Sequence, residues 1–314
     1  MKAHFAVGRD SAATSIGSQS QALPATPRVV RGGGDQPVRG LRHAAGRLRR
    51  NPLALASLAF LILAYGSAVL AAYIAPHSPT KMDLGAFLAP PGPGHVLGTD
   101  ESGRDVLSRL MFGGRVSLAV GLAAVVVSVV VGVAVGLTTS YFAGWLDIAL
   151  MRLTDAMLTI PTFFLLLVVM AFFGSSLQNV VLAIGLTSWM GVARLVRGEI
   201  LRVKASDFVE AARAMGASPR RMMMKHLLPQ AGSQIIVAAS LGTGGAILAE
   251  SALSYLGLGV QPPTPSWGNM LSGAQNYIWQ APQLAVYPGA LILLTVLAFN
   301  FLGEGFRDVF SVKD

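Results

Sequence analysis

Residues 116–139 read VSLAVGLAAVVVSVVVGVAVGLTT, and this stretch decides the fold class because it carries no ionisable side chain. An α-helix rises about 1.5 Å per residue, so about 20 apolar residues cross a bilayer core of about 30 Å. The stretch therefore predicts one membrane-spanning helix. Its small residues, among them Gly121, Gly132 and Gly136, predict close approach of neighbouring membrane helices.

Composition extends this prediction to the whole chain. Of the 314 residues, 53% are hydrophobic and only 12% are charged, whereas soluble domains carry about 25% charged residues. Too few charges remain to cover a soluble globule, and the apolar content excludes a disordered chain. Cysteine is absent, which excludes disulfide scaffolds, cysteine-based zinc or iron–sulfur sites and thiol catalysis.

The remaining apolar stretches predict five further spans. The first runs over Leu53–Ile74. The third, at about 149–173, carries Asp155 near one end and then Pro161, which removes a backbone hydrogen bond and predicts a kink. The others are expected at about 178–197, Leu228–Leu256 and Leu284–Leu302. The predicted fold is all-α, a polytopic membrane protein with six transmembrane helices.

Charge orients the segments between the spans. Residues 1–51 are expected to form a basic, disordered cytoplasmic tail before the first transmembrane helix at 52–75, with arginines at 42–50 placed to contact anionic lipid headgroups. The loop 198–227 is also basic, and the positive-inside rule places it in the cytoplasm. Alternation then places 76–114 outside, five spans within 115–306, an amphipathic segment at 258–283 outside, and the tail 307–314 in the cytoplasm. The net charge of +9 is typical of such cytoplasmic segments and does not indicate nucleic-acid binding.

The sequence shows no catalytic or metal site. It contains no phosphate-binding GxxxxGK[ST] motif, no HExxH motif and no visible Ser/His/Asp arrangement. The histidines are scattered without a pair at metal-ligand spacing: His4, His43, His77, His95 and His226. The chain is therefore predicted not to be an enzyme and to bind no metal ion. It is predicted to form a pathway that another protein powers or gates.

The cytoplasmic loop is the predicted docking region for that protein. Ser206 is expected to cap a helix that starts at Asp207, and Gly216 is expected to end it. Ser218 and Pro219 then predict a restart, so that two short helices meet at an angle. The Ala pair in Glu210-Ala-Ala212 has two interpretations, close approach of a partner backbone or simple helix propensity.

Three segments carry a resemblance to a known family. Glu210-Ala-Ala-Arg-Ala-Met-Gly216, followed by Leu228-Pro229, resembles the EAA signature of ABC importer permeases. His226 stands where the general signature has Ile, and it resembles the peptide-importer subgroup. HVLGTDESGRDVLSR at 95–109 and AESALSYLGLGVQPPTPSWGNML at 249–271 agree with that subgroup. Over about residues 45–310 the chain is similar to the C-type permease of dipeptide, oligopeptide and nickel importers.

The resemblance implies a type I ABC importer permease fold in a bacterial inner membrane, with both termini in the cytoplasm. It implies a homologous B-type permease, two cytoplasmic ATPases that bind ATP and Mg²⁺, and an extracytoplasmic solute-binding protein as partners. The chain itself would then hold no cofactor. By motif position, Glu210, Ala211, Ala212 and Gly216, with Ser218 beside them, would form the coupling helix in an ATPase groove. ATP-driven movement of this helix would produce alternating access for di- and oligopeptides.

Several single residues keep two interpretations. Glu250, an acid inside a span, is either a pathway residue that meets a substrate amine or part of a structural hydrogen-bond network. Asp155 is either a gate or a structural pair near Arg152, and Pro161 is the third pathway candidate. Three residues are candidates for docking the solute-binding protein: Arg104, Asp105 and Trp267. Their alternatives are a solvated, capped helix start after Ser102 and membrane-interface packing of the 267–278 stripe.

Two functional alternatives stay open from sequence. The same machine could import nickel chelates, glutathione or another small solute. A non-ABC channel is a different class, and it would need no ATPase docking loop.

Overall fold

The computed structural model describes residues 51–310, and it is all-α over that range. Within it the backbone forms no strand, and one isolated bridge joins Thr99 to Asp105. The expected basic tail, apart from Asn51, and residues 311–314 lie outside the described part of the chain. The helices are α1 (Pro52–Val69), α2 (Ala71–Ile74), α3 (Val106–Phe142), α4 (Gly144–Thr159), α5 (Thr162–Phe173), α6 (Leu177–Lys204), α7 (Asp207–Ala214), α8 (Pro219–Arg221), α9 (Gly232–Tyr255), α10 (Trp267–Ala274) and α11 (Gln283–Phe310).

The membrane spans predicted from hydropathy are present. Five helical runs within 51–310 are long and apolar enough to cross a bilayer, and the count is six if the bent pair α4 and α5 is one span. The polytopic all-α prediction is therefore confirmed. Many large apolar side chains of these helices are exposed, as expected for surfaces that face lipid or another membrane subunit.

The second span is longer than predicted. Hydropathy placed it at 116–139 with a separate surface helix before it, but α3 is one helix over Val106–Phe142. Its 37 residues correspond to a length of about 55 Å. The predicted Ser102 cap is wrong, because Asp105 is the N-cap and its Oδ2 accepts a hydrogen bond from the Ser108 backbone N–H at 2.8 Å. The start of the helix was hidden because Arg109 and Arg115 interrupt the apolar stretch.

The third span is broken rather than kinked. The axes of α4 and α5 meet at 90°, with Ile160 and Pro161 between them at ψ 124° and 119°. Proline disfavours the helical conformation of the preceding residue, so both residues leave the helix together. The single helix expected at 149–173 is therefore two helices.

The fifth span also starts earlier than predicted. Helical backbone continues from Pro219 to Tyr255 through a π-helical segment, Met222–Leu227, and a 3₁₀ segment, Leu228–Ala231. The loop was expected to contain two short helices at an angle, but only α7 is separate. The second one, α8, leads directly into the membrane span.

Close packing of α3 against α6 supports the prediction from glycines. A Cβ atom added to Gly132 would lie 2.8 Å from the Trp189 carbonyl oxygen, and one added to Gly136 would lie 2.6 Å from that of Ala193. A side chain at either position would force the two backbones apart. Gly121 plays the same part against α9, where an added Cβ would lie 2.4 Å from Cγ1 of Ile247.

The segment after α9 packs inward instead of lying at the membrane surface. In α10 the stripe residues Trp267, Met270 and Ala274 are buried against α3, α9 and α11. The Trp267 indole Nε1–H donates a hydrogen bond to the Leu110 carbonyl oxygen at 3.0 Å. The surface amphipathic helix expected here is thus part of the core of the protein.

Candidate coupling site

The EAA loop folds into one short, well-bounded helix. Ser206 occupies the N-cap position of α7, but its hydroxyl donates to the Val203 carbonyl oxygen at 2.6 Å and makes no capping hydrogen bond to α7. Gly216 ends the helix with φ +78°, a left-handed conformation that favours glycine. Ser218 caps α8 as predicted, because its Oγ accepts a hydrogen bond from the Arg221 backbone N–H at 3.4 Å.

The inner face of α7 anchors the helix to the rest of the chain. Val209 and Ala212 are buried in a cluster with Ile200, Met222 and Leu227. The expectation that both alanines of the signature face a partner is therefore wrong. Ala212 packs inside the chain, and only Ala211 is exposed.

The outer face of α7 presents an apolar stripe that the sequence analysis missed. Phe208 is 46% exposed and Met215 is 82% exposed. Ala211 lies at i+3 from Phe208, and Met215, the C-cap residue that follows α7, lies at i+7, so the three residues fall on one side of the helix. Glu210, also exposed, lies next to this stripe in sequence. The helical spacing of Phe208, Ala211 and Met215 is visible in the sequence and could have predicted this stripe. The sequence-based prediction considered only the pair Ala211 and Ala212.

The base of the loop is tied to the neighbouring membrane helices by ion pairs. Arg197 of α6 donates two hydrogen bonds to Asp147 of α4, at 2.7 and 2.6 Å. Lys204 Nζ donates to the carbonyl oxygens of Ser140 and Tyr141 at 2.9 and 3.1 Å, near the end of α3. These contacts join α3, α4 and α6 close to the point in the chain where α7 begins.

Asp155 is paired with a different arginine from the expected one. Its carboxylate accepts a hydrogen bond from Arg194 of α6, and both side chains are about half exposed. The pair joins α4 to α6, and the nearby Arg152 of α4 is not its partner. Pro161 is exposed at the break between α4 and α5.

Glu250 faces the interior of the chain and no open pathway. Its side chain is completely buried and accepts hydrogen bonds from Ser117 at 2.8 Å and Ser254 at 2.7 Å, with Ser251 at 3.4 Å. The Trp267 backbone N–H donates to the same Ser117 hydroxyl at 3.2 Å. The carboxylate therefore joins α3, α9 and α10, which is the structural one of the two interpretations.

The three docking candidates on the outer side are buried as well. Arg104 lies in an ion-pair network, where Nε donates to Asp100 at 2.7 Å and Nη2 donates to Glu101 at 2.9 Å. Asp105 and Trp267 are each 2% exposed. None of the three forms a solvated surface, so their burial disfavours both direct contact with a docked protein and the alternative of a solvated helix start. Trp279, in the segment between α10 and α11, is 95% exposed.

The structure brings together two histidines that linear spacing kept apart. Asp105 Oδ1 lies 2.9 Å from His95 Nδ1 and 3.7 Å from His77 Nδ1. Burial of the Asp105 carboxyl favours a raised pKa, but hydrogen bonds from Ser108 and His95 and the charge of His77 outweigh it and hold the pKa below its ordinary value. Sequence spacing did not reveal this cluster, because its members lie 18 and 10 positions apart in the segment between α2 and α3.

The structure is that of a polytopic membrane protein with a broken third span, glycine-packed helices and a short exposed helix between the fourth and fifth predicted spans. The chain belongs to the family described as binding-protein-dependent transport system inner membrane component, which matches residues 105–313. Residues 41–91 match the N-terminal transmembrane domain of oligopeptide transport permease C. The chain is thus a multi-pass permease subunit of an ABC importer and a C-type permease.

Curated relatives agree over most of the chain. The glutathione transport system permease protein GsiD of Escherichia coli O6:K15:H31 is 40% identical over 268 residues, covering 85% of this chain and 88% of that protein. GsiD of Pectobacterium atrosepticum is 39% identical over 295 residues, covering 93% and 97%. An inward-facing structure of the MetNI methionine ABC transporter superposes with a TM-score of 0.53 at 20% identity, covering 65% of this chain and 97% of that one. That last likeness shows the type I permease fold.

Proposed function

We propose that this chain forms half of the translocation pathway of an ATP-driven importer and that α7 is its coupling helix. The observation that carries the proposal is the two-sided construction of α7. Val209 and Ala212 fix the helix to the core, while Phe208, Ala211 and Met215 present an apolar stripe outward. A short helix with such a stripe fits the helix-in-groove mode of recognition.

The proposed partners follow from the family. Two cytoplasmic ATPases, which would bind ATP and Mg²⁺, receive the coupling helices of this chain and of a homologous B-type permease. An extracytoplasmic solute-binding protein delivers the substrate, and this chain supplies no cofactor and no catalytic residue. The termini lie in the cytoplasm, on the same side as α7.

Movement of the coupling helix reaches the pathway through its supports. The inner face of α7 contacts α6 and the π-helical segment that leads into α9. The Asp147–Arg197 pair and Lys204 extend the contact to α3 and α4. ATP-driven closure of the ATPases then shifts these helices together, which is alternating access between two states biased by nucleotide. Glu210 and Gly216 are proposed to set the contact and the end of the coupling helix.

The proposed substrate class is small peptides, with glutathione as the first candidate. Two relatives at 40% and 39% identity are named as glutathione transport permeases. Residues 41–91 resemble an oligopeptide permease domain. Glutathione is itself a tripeptide, so both likenesses indicate the same chemical class of solute.

Reconstitution of the assembled importer in vesicles tests the proposal. The panel contains glutathione, di- and oligopeptides and a nickel chelate, each presented with the solute-binding protein. We expect ATP-dependent accumulation of glutathione or short peptides and stimulation of ATP hydrolysis by the same solutes. Accumulation of the nickel chelate alone would refute the substrate class, and solute flux without ATP or ATPases would refute the importer.

The variant Gly216→Val tests, in the same assay, whether α7 couples ATP hydrolysis to solute uptake. The φ of +78° at this position disfavours a side chain, although an added Cβ meets no atom within 4 Å. The substitution therefore distorts the end of α7 without a clash. We expect ATP hydrolysis to continue while uptake falls, and unchanged uptake would contradict the role of α7.

A further inference from the structure

The cluster His77, His95 and Asp105 lies outside everything that the proposed function uses. One candidate ligand atom from each residue lies within 4.8 Å of the others. His77 follows α2, His95 lies in the loop before α3, and Asp105 is the N-cap of α3. Folding of the segment between α2 and α3 therefore brings three residues, 18 and 10 positions apart, to one point outside the membrane spans.

The distances from Asp105 Oδ1 to the two histidine Nδ1 atoms lie on either side of the spacing between two ligand atoms of a bound metal ion. Zinc ligands lie about 2.1 Å from the ion, so tetrahedral neighbours are about 3.4 Å apart. Oδ1 of Asp105 is 2.9 Å from His95 Nδ1 and 3.7 Å from His77 Nδ1. A movement of a few tenths of an ångström brings both pairs to that spacing.

His77 provides the second observation. Its Nδ1 atom is buried and has no hydrogen-bond partner, although it lies beside the same carboxylate oxygen that His95 contacts. A buried polar atom without a partner is costly. An ion between the three residues would satisfy this nitrogen, and it would replace the present His95–Asp105 hydrogen bond with two metal bonds while the Nδ1 proton leaves to solvent.

The surroundings hold the carboxylate as outer-shell groups hold metal ligands. Asp105 Oδ2 accepts hydrogen bonds from the Ser108 backbone N–H at 2.8 Å and the Ser108 hydroxyl at 2.7 Å, leaving Oδ1 directed at the histidines. The His77 backbone N–H donates to the same Ser108 hydroxyl at 3.1 Å. Asp105 is buried, whereas the side chains of His77 and His95 are 37% and 24% exposed.

We propose that His77, His95 and Asp105 form a site for a divalent transition metal ion of the zinc class. Two imidazoles and one carboxylate are a ligand set that suits Zn²⁺ and its neighbours better than Mg²⁺ or Ca²⁺. The bound ion links the end of the first span and the following loop to the start of α3. It therefore stabilises the extracytoplasmic segment on which α3 begins, independently of the ATPases and of the transported solute.

Zinc binding to the full-length chain, purified with a tag that contains no histidine, tests the site. All samples carry His4→Gln and His43→Gln, so that the N-terminal segment contributes no imidazole. The probe is Zn²⁺ alone, measured by competition with a chromophoric chelator, and Co²⁺ absorption reports the ligand geometry. We expect one equivalent of Zn²⁺ per chain, and an affinity lowered at least about tenfold in His77→Gln and in His95→Gln.

His226→Gln is the matched control, because it removes a histidine from the π-helical segment of the cytoplasmic loop. It should leave the Zn²⁺ affinity unchanged. Each variant is also heated in the presence of chelator, where His77→Gln should unfold at the temperature of the parent. Added Zn²⁺ should raise the unfolding temperature of the parent and not that of His77→Gln. An equal Zn²⁺ affinity in the parent and in His77→Gln, or no Zn²⁺ bound to the parent, would overturn the proposal.

Discussion

Truncation of Met215 is the sharpest test of the coupling helix. The side chain is 82% exposed, so it contributes little to the stability of the chain by itself. Full burial of a methionine side chain is worth about 1.5–3 kcal/mol. If an ATPase groove covers the exposed part, Met215→Ala should weaken docking by about 2 kcal/mol, which corresponds to roughly 30-fold in the dissociation constant.

The assay titrates purified ATPase subunits against the permease pair in nanodiscs. Met82→Ala is the matched control, because Met82 is 59% exposed and lies in the segment between the first two spans. We expect Met215→Ala to need a higher ATPase concentration for half-maximal binding, with the thermal unfolding of the permease unchanged. Met82→Ala should bind as the parent does.

A variant on the buried side of α7 shows what a folding defect looks like in the same measurements. Ala212 lies in the buried cluster behind α7, so Ala212→Leu should overpack the interior and lower the free energy of unfolding by about 1–3 kcal/mol.

Equal ATPase affinity in the parent and in Met215→Ala would refute the claim that the outer stripe of α7 is the docking surface. A loss of thermal stability in Met215→Ala would also count against it, because the side chain would then serve the fold.

Three further predictions concern the outer network, each measured by thermal unfolding. Gly268→Ala places a methyl carbon 2.4 Å from the Ser251 carbonyl oxygen and should lower the free energy of unfolding by about 1–3 kcal/mol. Gly245→Ala is the control, because the added methyl carbon meets no atom within 4 Å, and it should lower the free energy of unfolding by less than about 0.5 kcal/mol. Asp100→Ala leaves a buried guanidinium without its carboxylate and should cost about 3–5 kcal/mol, and a loss below about 1 kcal/mol would contradict the network. Glu250→Ala leaves serine hydroxyls without their acceptor and should cost about 3 kcal/mol or more. In that variant uptake should fall in parallel for all substrates, and a loss confined to one substrate would restore the pathway interpretation.

The membrane spans were predictable because hydropathy measures how favourably side chains transfer into lipid, and this transfer determines which segments cross a membrane. Burial of apolar side chains in lipid requires about 20 such residues in a row, and each predicted span overlaps a helix or a bent pair. The first predicted span, Leu53–Ile74, is interrupted at Leu70 between α1 and α2. The ends were less predictable, since a helix does not stop where its contact with lipid stops. The first turns of α3, which carry Arg109 and Arg115, are helical although they are not apolar.

The side-chain burial on the outer side could not be predicted, because it depends on contacts between distant segments. Trp267 was expected at an interface from its residue type, but its indole N–H donates to the Leu110 carbonyl across 157 positions of sequence. Arg104 was expected in solvent because it is charged, but its guanidinium instead forms ion pairs with two acidic neighbours, Asp100 and Glu101. The EAA signature located the proposed coupling helix, whereas only the fold shows which of its side chains are exposed.

The single helix over Val106–Phe142 has a consequence for how this protein can vary. Each inserted or deleted residue turns one end of an α-helix by about 100° relative to the other. One such change near Gly132 would rotate the glycines away from α6 or swing Asp105 away from both histidines. The number of residues between Asp105 and the glycines that pack against α6 is therefore a fixed dimension of this protein.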